Sequence, residues 1–299
     1  MIIRPKVNQF AILFTLKGSI AKRIALRALM VTLLAAGIVL VEILHPSSFT
    51  KVSATPFTLL GLSLSIFMSF RNNACYDRWY EARKAWGEVI VHTRSVMRET
   101  QVIRESVHRR PLLLNLCGFA HSLNARLRRE SEAVASAAWI TPKLDAEVPD
   151  YSGRILHQIG EQCGDLQQSG ELSEWRYMLL ANHLTSLTQA QAVCDRIKNT
   201  PLPFPYTLLL HRTIYLFCIL LPFAMAEPLG WLTPLFTAIV SYTFFGLDAI
   251  ADELEDPFGR DENDLPTDAL VRTIERDILF ELGETELPPV LMPVDYVLS

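Results

Sequence analysis

The sequence predicts an all-α membrane protein that crosses the bilayer four times and carries a large polar helical region between the second and third crossings. Three observations lead to this class. Apolar runs long enough for a helix to cross hydrocarbon occur as one pair near the start of the chain and a second pair between residues 206 and 247. The segment between the pairs, 71–204, holds seventeen Lys and Arg and no such run. Hydrophobic content of 50% and a mean hydropathy of +0.21 stand beside 20% charged residues, too apolar for a typical soluble domain and too charged for a chain confined to lipid. A formal net charge of −4 without a concentrated basic surface excludes a nucleic-acid partner. The five cysteines form no CxxC pair, so neither a disulfide nor a zinc site is predicted.

In order, residues 1–23 interleave Arg4, Lys6, Lys17, Lys22 and Arg23 with Phe10, Ile12, Leu13, Phe14 and Leu16, the composition of an amphipathic segment on the cytoplasmic face. No short apolar core with a small-residue cleavage site precedes them, so no removable signal peptide is expected. Residues 24–70 hold the first two spans. Ile24 to Leu44 carries only Arg27 and Glu42, near its ends, and His45 to Lys51 is an external turn. Val52 to Phe70 is a charge-free run of 19 residues that Arg71 ends. Within it Gly61, Ser65 and Ser69 form a small-residue stripe that lets another helix approach closely, and Leu62, Ile66 and Phe70 form a bulky stripe beside it.

Residues 71–205 form the cytoplasmic helical region. Trp79, Ala82, Trp86 and Val89 keep a helical period, so the second span continues beyond Arg71 as one long helix. Leu112–Leu127 and Leu172–Ile197 are further amphipathic helices, whereas Ser131–Tyr151 reads as loop. Prolines 201, 203 and 205 in TPLPFPY predict an extended hinge in which a regular helix is excluded. Residues 206–250 hold the third and fourth spans, Tyr206 to Ala226 with a kink at Pro222 and the uncharged run Pro228 to Leu247. They are joined outside by AEPLGW, which lacks Lys and Arg. Residues 251–299 return to the cytoplasm with an acidic cluster from Asp252 to Asp268, a helix over Ala269–Leu282 and an extended tail packed along the body. Both termini are then cytoplasmic.

The bulky stripe has two readings. Leu62, Ile66 and Phe70 either face lipid or a neighbouring helix, as most apolar residues in a span do, or line a water path, which one helix cannot enclose and several copies around an axis could. The stretch SFRNNACYDRWYEARKAW, followed downstream by PLPFPYT and DELEDPFGRDENDLP, resembles the bestrophin family of ion channels and its bacterial branch, in order and spacing over nearly the whole chain. That resemblance implies a homopentamer in the bacterial inner membrane that is no enzyme, needs no cofactor and passes small monovalent ions. Chloride and other anions are the family's ions, with monovalent cations such as sodium possible in the bacterial branch. It also implies an apolar neck at the positions sixteen, twelve and eight residues before Arg78-Trp79, namely Leu62, Ile66 and Phe70. Apolar rings of this kind gate by dewetting.

Matching SEWRYMLLANHL to the family's helix before PLPFPYT puts Trp175 at a cytoplasmic aperture, with Met178 one turn on as the alternative and a buried or interfacial core Trp as the other reading. In animal members the block after PFG forms a calcium clasp, and Asp256, Asp261 and Asp264 fall at its ligand positions. Arg260 stands where calcium-binding members place an acid, which opposes a divalent ion, and EF-hand spacing is lacking. A structural, salt-bridged acidic face is expected instead, with no metal bound. The seven histidines include no HExxH and no pair at metal spacing, and Ser152-Gly153 lacks a nucleophile-elbow context. Two rivals are a magnesium-dependent membrane transferase anchored on Asp252, Asp256, Asp264 and Asp268, which would need a second Asp-rich motif, and a membrane scaffold.

Overall fold

A computed structural model describes residues 1–4, 10, 15, 17–45, 53–103 and 106–299. Residues 5–9, 11–14 and 16 of the amphipathic segment 1–23, and 46–51 of the turn 45–51, lie outside the described residues. The described chain is all-helical: α1 (Ala21–Leu44), α2 (Thr55–Glu99), α3 (Ser106–Leu127), α4 (Glu132–Ser136), α5 (Tyr151–Gln168), α6 (Glu174–Asn199), α7 (Phe204–Leu229), α8 (Thr233–Glu255) and α9 (Thr267–Glu281). Among the described residues there is no strand, only isolated β-bridges that pair Val297 with Ile2 and Val294.

Two compact units share the chain, Pro5–Trp79 with Pro201–Asp256, and Met1–Arg4 with Tyr80–Thr200 and Pro257–Ser299. α2, 45 residues without a break, contributes to both.

In the first unit α1 packs on α7 and α8, and their apolar faces enclose Ile24, Val31, Leu64, Met68, Ile214, Phe217, Leu221 and Phe245. Outward, Leu26, Leu29, Leu33, Leu216, Leu235 and Ile239 are all more than half exposed, which suits a lipid surround and not water. Two stretches among the described residues, Ala21–Leu44 and Phe204–Glu255, are long and apolar enough to cross a membrane. The uncharged part of α2, from Thr55 to Phe70, covers only about 24 Å at the helical rise.

One expectation about helix limits is corrected here. α7 begins at Phe204, inside the proline segment read as an extended hinge, because Pro205 occupies the first turn, where its missing N–H would have had no helical partner. α8 runs past the uncharged run ending at Leu247 and carries Asp248, Asp252 and Glu255 on one face.

In the second unit α3 is the centre. Leu112, Leu113, Leu116, Phe119, Ala120 and Leu123 are all fully buried, and α4, α5, α6 and α9 surround the helix. The stretch read as loop contains the short helix α4, started by the Ser131 hydroxyl accepting from the Val134 N–H. α5, which the sequence did not reveal, starts where the Asp150 carboxylate accepts from the Gly153 N–H and buries Ile155, Ile159, Cys163 and Leu166. The tail lies along α9, where Arg276 donates to the Pro288 carbonyl and Arg272 to that of Pro289.

His121 of α3 stacks on Trp139, with centroids 5.4 Å apart, and lies 3.8 Å from Glu275. Burial first, and then the Arg272 charge, push its imidazole down to about 4. It is therefore neutral in the fold at pH values where the unfolded chain, at 6.5, takes up a proton. Stability accordingly falls as the pH drops from about 6.5 to about 4, by on the order of 3 kcal/mol. Glu275, raised by burial, acts in the opposite sense and returns part of this loss as it protonates. Melting temperatures across that window should fall less steeply for His121→Phe, and an unaltered slope would assign the acid limb to other groups.

Candidate pore helix and its anchor

α2 presents two faces between residues 59 and 75. Leu64, Met68, Arg71 and Cys75 are buried, and Gly61 lies so close to Phe217 that a Cβ there would sit 3.1 Å from its ring. Leu62, Ile66 and Phe70 lie on the other side and are 60%, 48% and 60% exposed, one above another at the i, i+4 interval. Leu59 and Phe67 flank them and are also exposed. The small-residue stripe is packed only in part: Gly61 meets α7, whereas Ser65 and Ser69 are exposed, and Ser65 donates back to the Gly61 carbonyl.

Immediately after Phe70 stands Arg71, whose side chain has no exposed surface. Its guanidinium donates to Asp248 at 2.8 Å and Asp252 at 2.6 Å, with Glu255 at 3.6 Å, three carboxylates on one face of α8. The second oxygen of Asp248 is 2.9 Å from His211 Nδ1 of α7. Arg78 donates to the Glu255 carbonyl at 3.3 Å, placing a cation at the C-terminal end of α8, where the helix dipole favours it. The Tyr206 hydroxyl donates to the Phe67 carbonyl at 3.0 Å. The helix is thus held on its buried side by α7 and α8, and its bulky stripe stays largely exposed among the described residues.

Trp175 and Met178 belong to the other unit, on the first turns of α6, and are 80% and 51% exposed. Within the single chain Trp175 is therefore not buried. Next to it Arg176 is tied to Glu99 of α2 at 2.8 Å.

Several of the acidic residues are engaged by cations or by the backbone. Asp256 follows the last turn of α8 in the first unit, and Asp261 and Asp264 belong to the second. Asp264 is buried and accepts from the Asp261 N–H at 2.8 Å, and its carboxylate stands 2.5 Å from where a Cβ on Gly259 would lie. Arg260 pairs with Glu130 at 2.6 Å and Asp268 at 3.6 Å, and Asp268 also pairs with Arg128. Burial would raise the Asp268 carboxyl, but the bonds from Arg128 and Asn124 outweigh it and hold the group below its usual range. Of the four acids named for a transferase, Asp252 is paired with Arg71 and Asp268 with arginines, and Asp264 serves the loop backbone.

A family model described as Bacterial/Fungal Bestrophin protein matches residues 1–280. The chain belongs to the bestrophin family. It is 39% identical over 298 residues to a voltage-dependent anion channel-forming protein of Mesorhizobium japonicum, covering 99% of this chain and 96% of that one. To the protein of the same description from Escherichia coli K12 it is 38% identical over 297 residues, covering 98% of each. Among solved structures, a bacterial bestrophin homologue from Klebsiella pneumoniae superposes with a TM-score of 0.83 at 36% identity, covering 88% of this chain and 100% of that one. Membership of a family of channels, with relatives named for forming them, sets the transferase aside.

In this bestrophin the residue that sequence reasoning missed is Arg71, read only as the end of a span. The available signal was the recurrence of Asp248, Asp252 and Glu255 at i, i+4 and i+7, one acidic face on a helix that leaves an apolar run. His92 of α2 and His183 of α6 are a second case, brought together from positions 91 residues apart.

Proposed function

We propose that this bestrophin is a homopentameric channel of the bacterial inner membrane whose second helix lines the pore. In this reading 24–70 and 206–250 provide four spans per chain, 71–205 and 251–299 lie in the cytoplasm, and both termini are cytoplasmic. Leu62, Ile66 and Phe70 form the apolar neck. The observation that carries the reading is the division of α2: one face is anchored by the Arg71 network and Leu64, while the i, i+4, i+8 bulky stripe faces away from the chain. An isolated stripe of this kind cannot surround water, whereas five copies around an axis can. Ions crossing such a neck shed water without replacement ligands, so wetting of the rings controls passage.

The relatives are named for forming voltage-dependent anion channels, which favours anions as the permeant species, with chloride the ion to test first. An apolar neck holds no fixed charge of its own to impose that choice, and so the ion is measured directly. With purified protein in liposomes under asymmetric sodium chloride, a reversal potential near that of chloride is expected. One near that of sodium would move the selectivity to cations, and absence of flux would leave a scaffold.

Trp175 is proposed to narrow the cytoplasmic exit, with Met178 one turn on as the alternative. Trp175→Ala is expected to raise conductance or shift the reversal potential with assembly intact, since an exposed side chain is removed and no core is opened. Unchanged currents with Met178→Ala active would move the aperture one turn along α6.

Calcium is proposed to play no part in opening. Asp264 is committed to the backbone and Arg260 adds a cation beside the block, so chelating calcium is expected to leave conductance unchanged. A calcium dependence abolished by Asp261→Ala would show a working clasp.

A further inference from the structure

His92 and His183 meet through their Nδ1 atoms at 3.2 Å, with the rings tilted by 45°. Both side chains are half-buried and reach solvent. Two neutral imidazoles can hydrogen-bond through these atoms only if one carries its proton on Nδ1 and the other does not; two bare lone pairs or two N–H groups repel. A cation that accepts both lone pairs removes this constraint on tautomer. Around a tetrahedral ion with metal–nitrogen bonds of about 2.0–2.1 Å, two ligand nitrogens stand about 3.3–3.4 Å apart, so the pair is already spaced as one edge of such a site. We propose that His92 and His183 form a two-ligand site for a transition-metal cation of the zinc class, clamping the far part of α2 to α6.

The surroundings suit an exchangeable ion. The charged groups that act on the pair are Glu99 and Arg98 of α2, and Glu99 is held by Arg176 of α6. The neutral imidazole is the form that ligates. Among the described residues no third His, Cys, Asp or Glu completes a cluster, so water fills the remaining positions and the site is open, unlike the closed four-ligand sites that hold structural zinc. Imidazole donors favour zinc, copper and nickel over calcium and magnesium, which require oxygen ligands. The clamp joins the helix that bears the Leu62 stripe to the helix that bears Trp175, two turns before His183. Binding itself does not depend on whether the chain conducts.

The test uses the purified full-length protein without a histidine tag, stripped with chelator and titrated with zinc chloride by calorimetry at pH 7.5. One zinc per chain is expected. His92→Gln and His183→Gln should each weaken binding at least tenfold, as should lowering the pH to 5.5, because ligands must be deprotonated. His157→Ala, which removes an exposed histidine paired with Glu161, should bind as the parent does. Zinc-edge X-ray absorption of the unsubstituted protein should show two imidazole nitrogens, a measurement that stands even if the variants fail to fold. The assignment is overturned if the parent binds no zinc, if the double His92→Gln, His183→Gln variant binds it equally well, or if absorption shows no imidazole.

Discussion

Replacing Ile66 by Ala is expected to raise ion flux about tenfold or more while leaving the oligomer intact. In the proposed pore each ring of five loses bulk at the centre of the neck, and the barrier to wetting falls. A drop of only about 1.4 kcal/mol in that barrier is a factor of ten in rate. Ile66 is 48% exposed in the chain, so its truncation opens no intrachain cavity. Leu62→Ala and Phe70→Ala should act in the same direction. Leu64→Ala is the contrast: Leu64 is buried against α7 and α8, and its loss should cost about 2–5 kcal/mol with no gain of flux. The neck assignment fails if all four variants lose stability alike and none conducts more.

Arg71→Ala is expected to be the most destabilising single substitution on α2, by about 3–5 kcal/mol. The substitution removes the guanidinium shared by Asp248, Asp252 and Glu255 and leaves the buried Asp248 carboxylate beside His211 with a hole where the cation stood. Arg71→Lys should recover only part of the loss, since an ammonium cannot present the planar fork that meets Asp248 and Asp252 at once. Arg94→Ala provides the comparison, because its exposed pair with Asp277 is worth about 0–1 kcal/mol. Thermal melting of the purified assemblies separates the cases. Equal shifts for Arg71→Ala and Arg94→Ala would mean that the buried network contributes no more than a surface pair.

What the sequence made legible were the features that repeat locally. The long second helix was readable because a helical period through Trp79, Ala82, Trp86 and Val89 follows Arg71 directly after the apolar run, and the structure has it unbroken from Thr55 to Glu99. The Leu62 stripe was readable for the same reason, and the family match chose its role. α5 was missed because Ser152 and Gln158 are buried among its apolar residues and blur the period that Ile155, Ile159 and Cys163 would otherwise show. Pro205 misled because a proline forbidden inside a helix is tolerated in its first turn. The Arg71 anchor was out of reach of local pattern, since its partners lie 177 and 181 residues away and only the fold brings them together. Trp175 had two readings of equal standing in the sequence, and its exposure, a tertiary property, removes only burial within the chain.

The loop around Gly259 has a consequence for engineering. The Asp264 carboxylate fills the space that any side chain at 259 would need, and it terminates the Asp261 amide. Residues 259 and 264 therefore vary only as a couple: Gly259→Ala collides with the carboxylate, and Asp264→Ala strips an N–H of its acceptor. A designer who wished to graft a calcium clasp onto this scaffold could not do so by exchanging Arg260 for an acid alone. The graft would first have to give the Asp261 amide another acceptor, so that the one buried carboxylate of the loop became free to turn toward a metal.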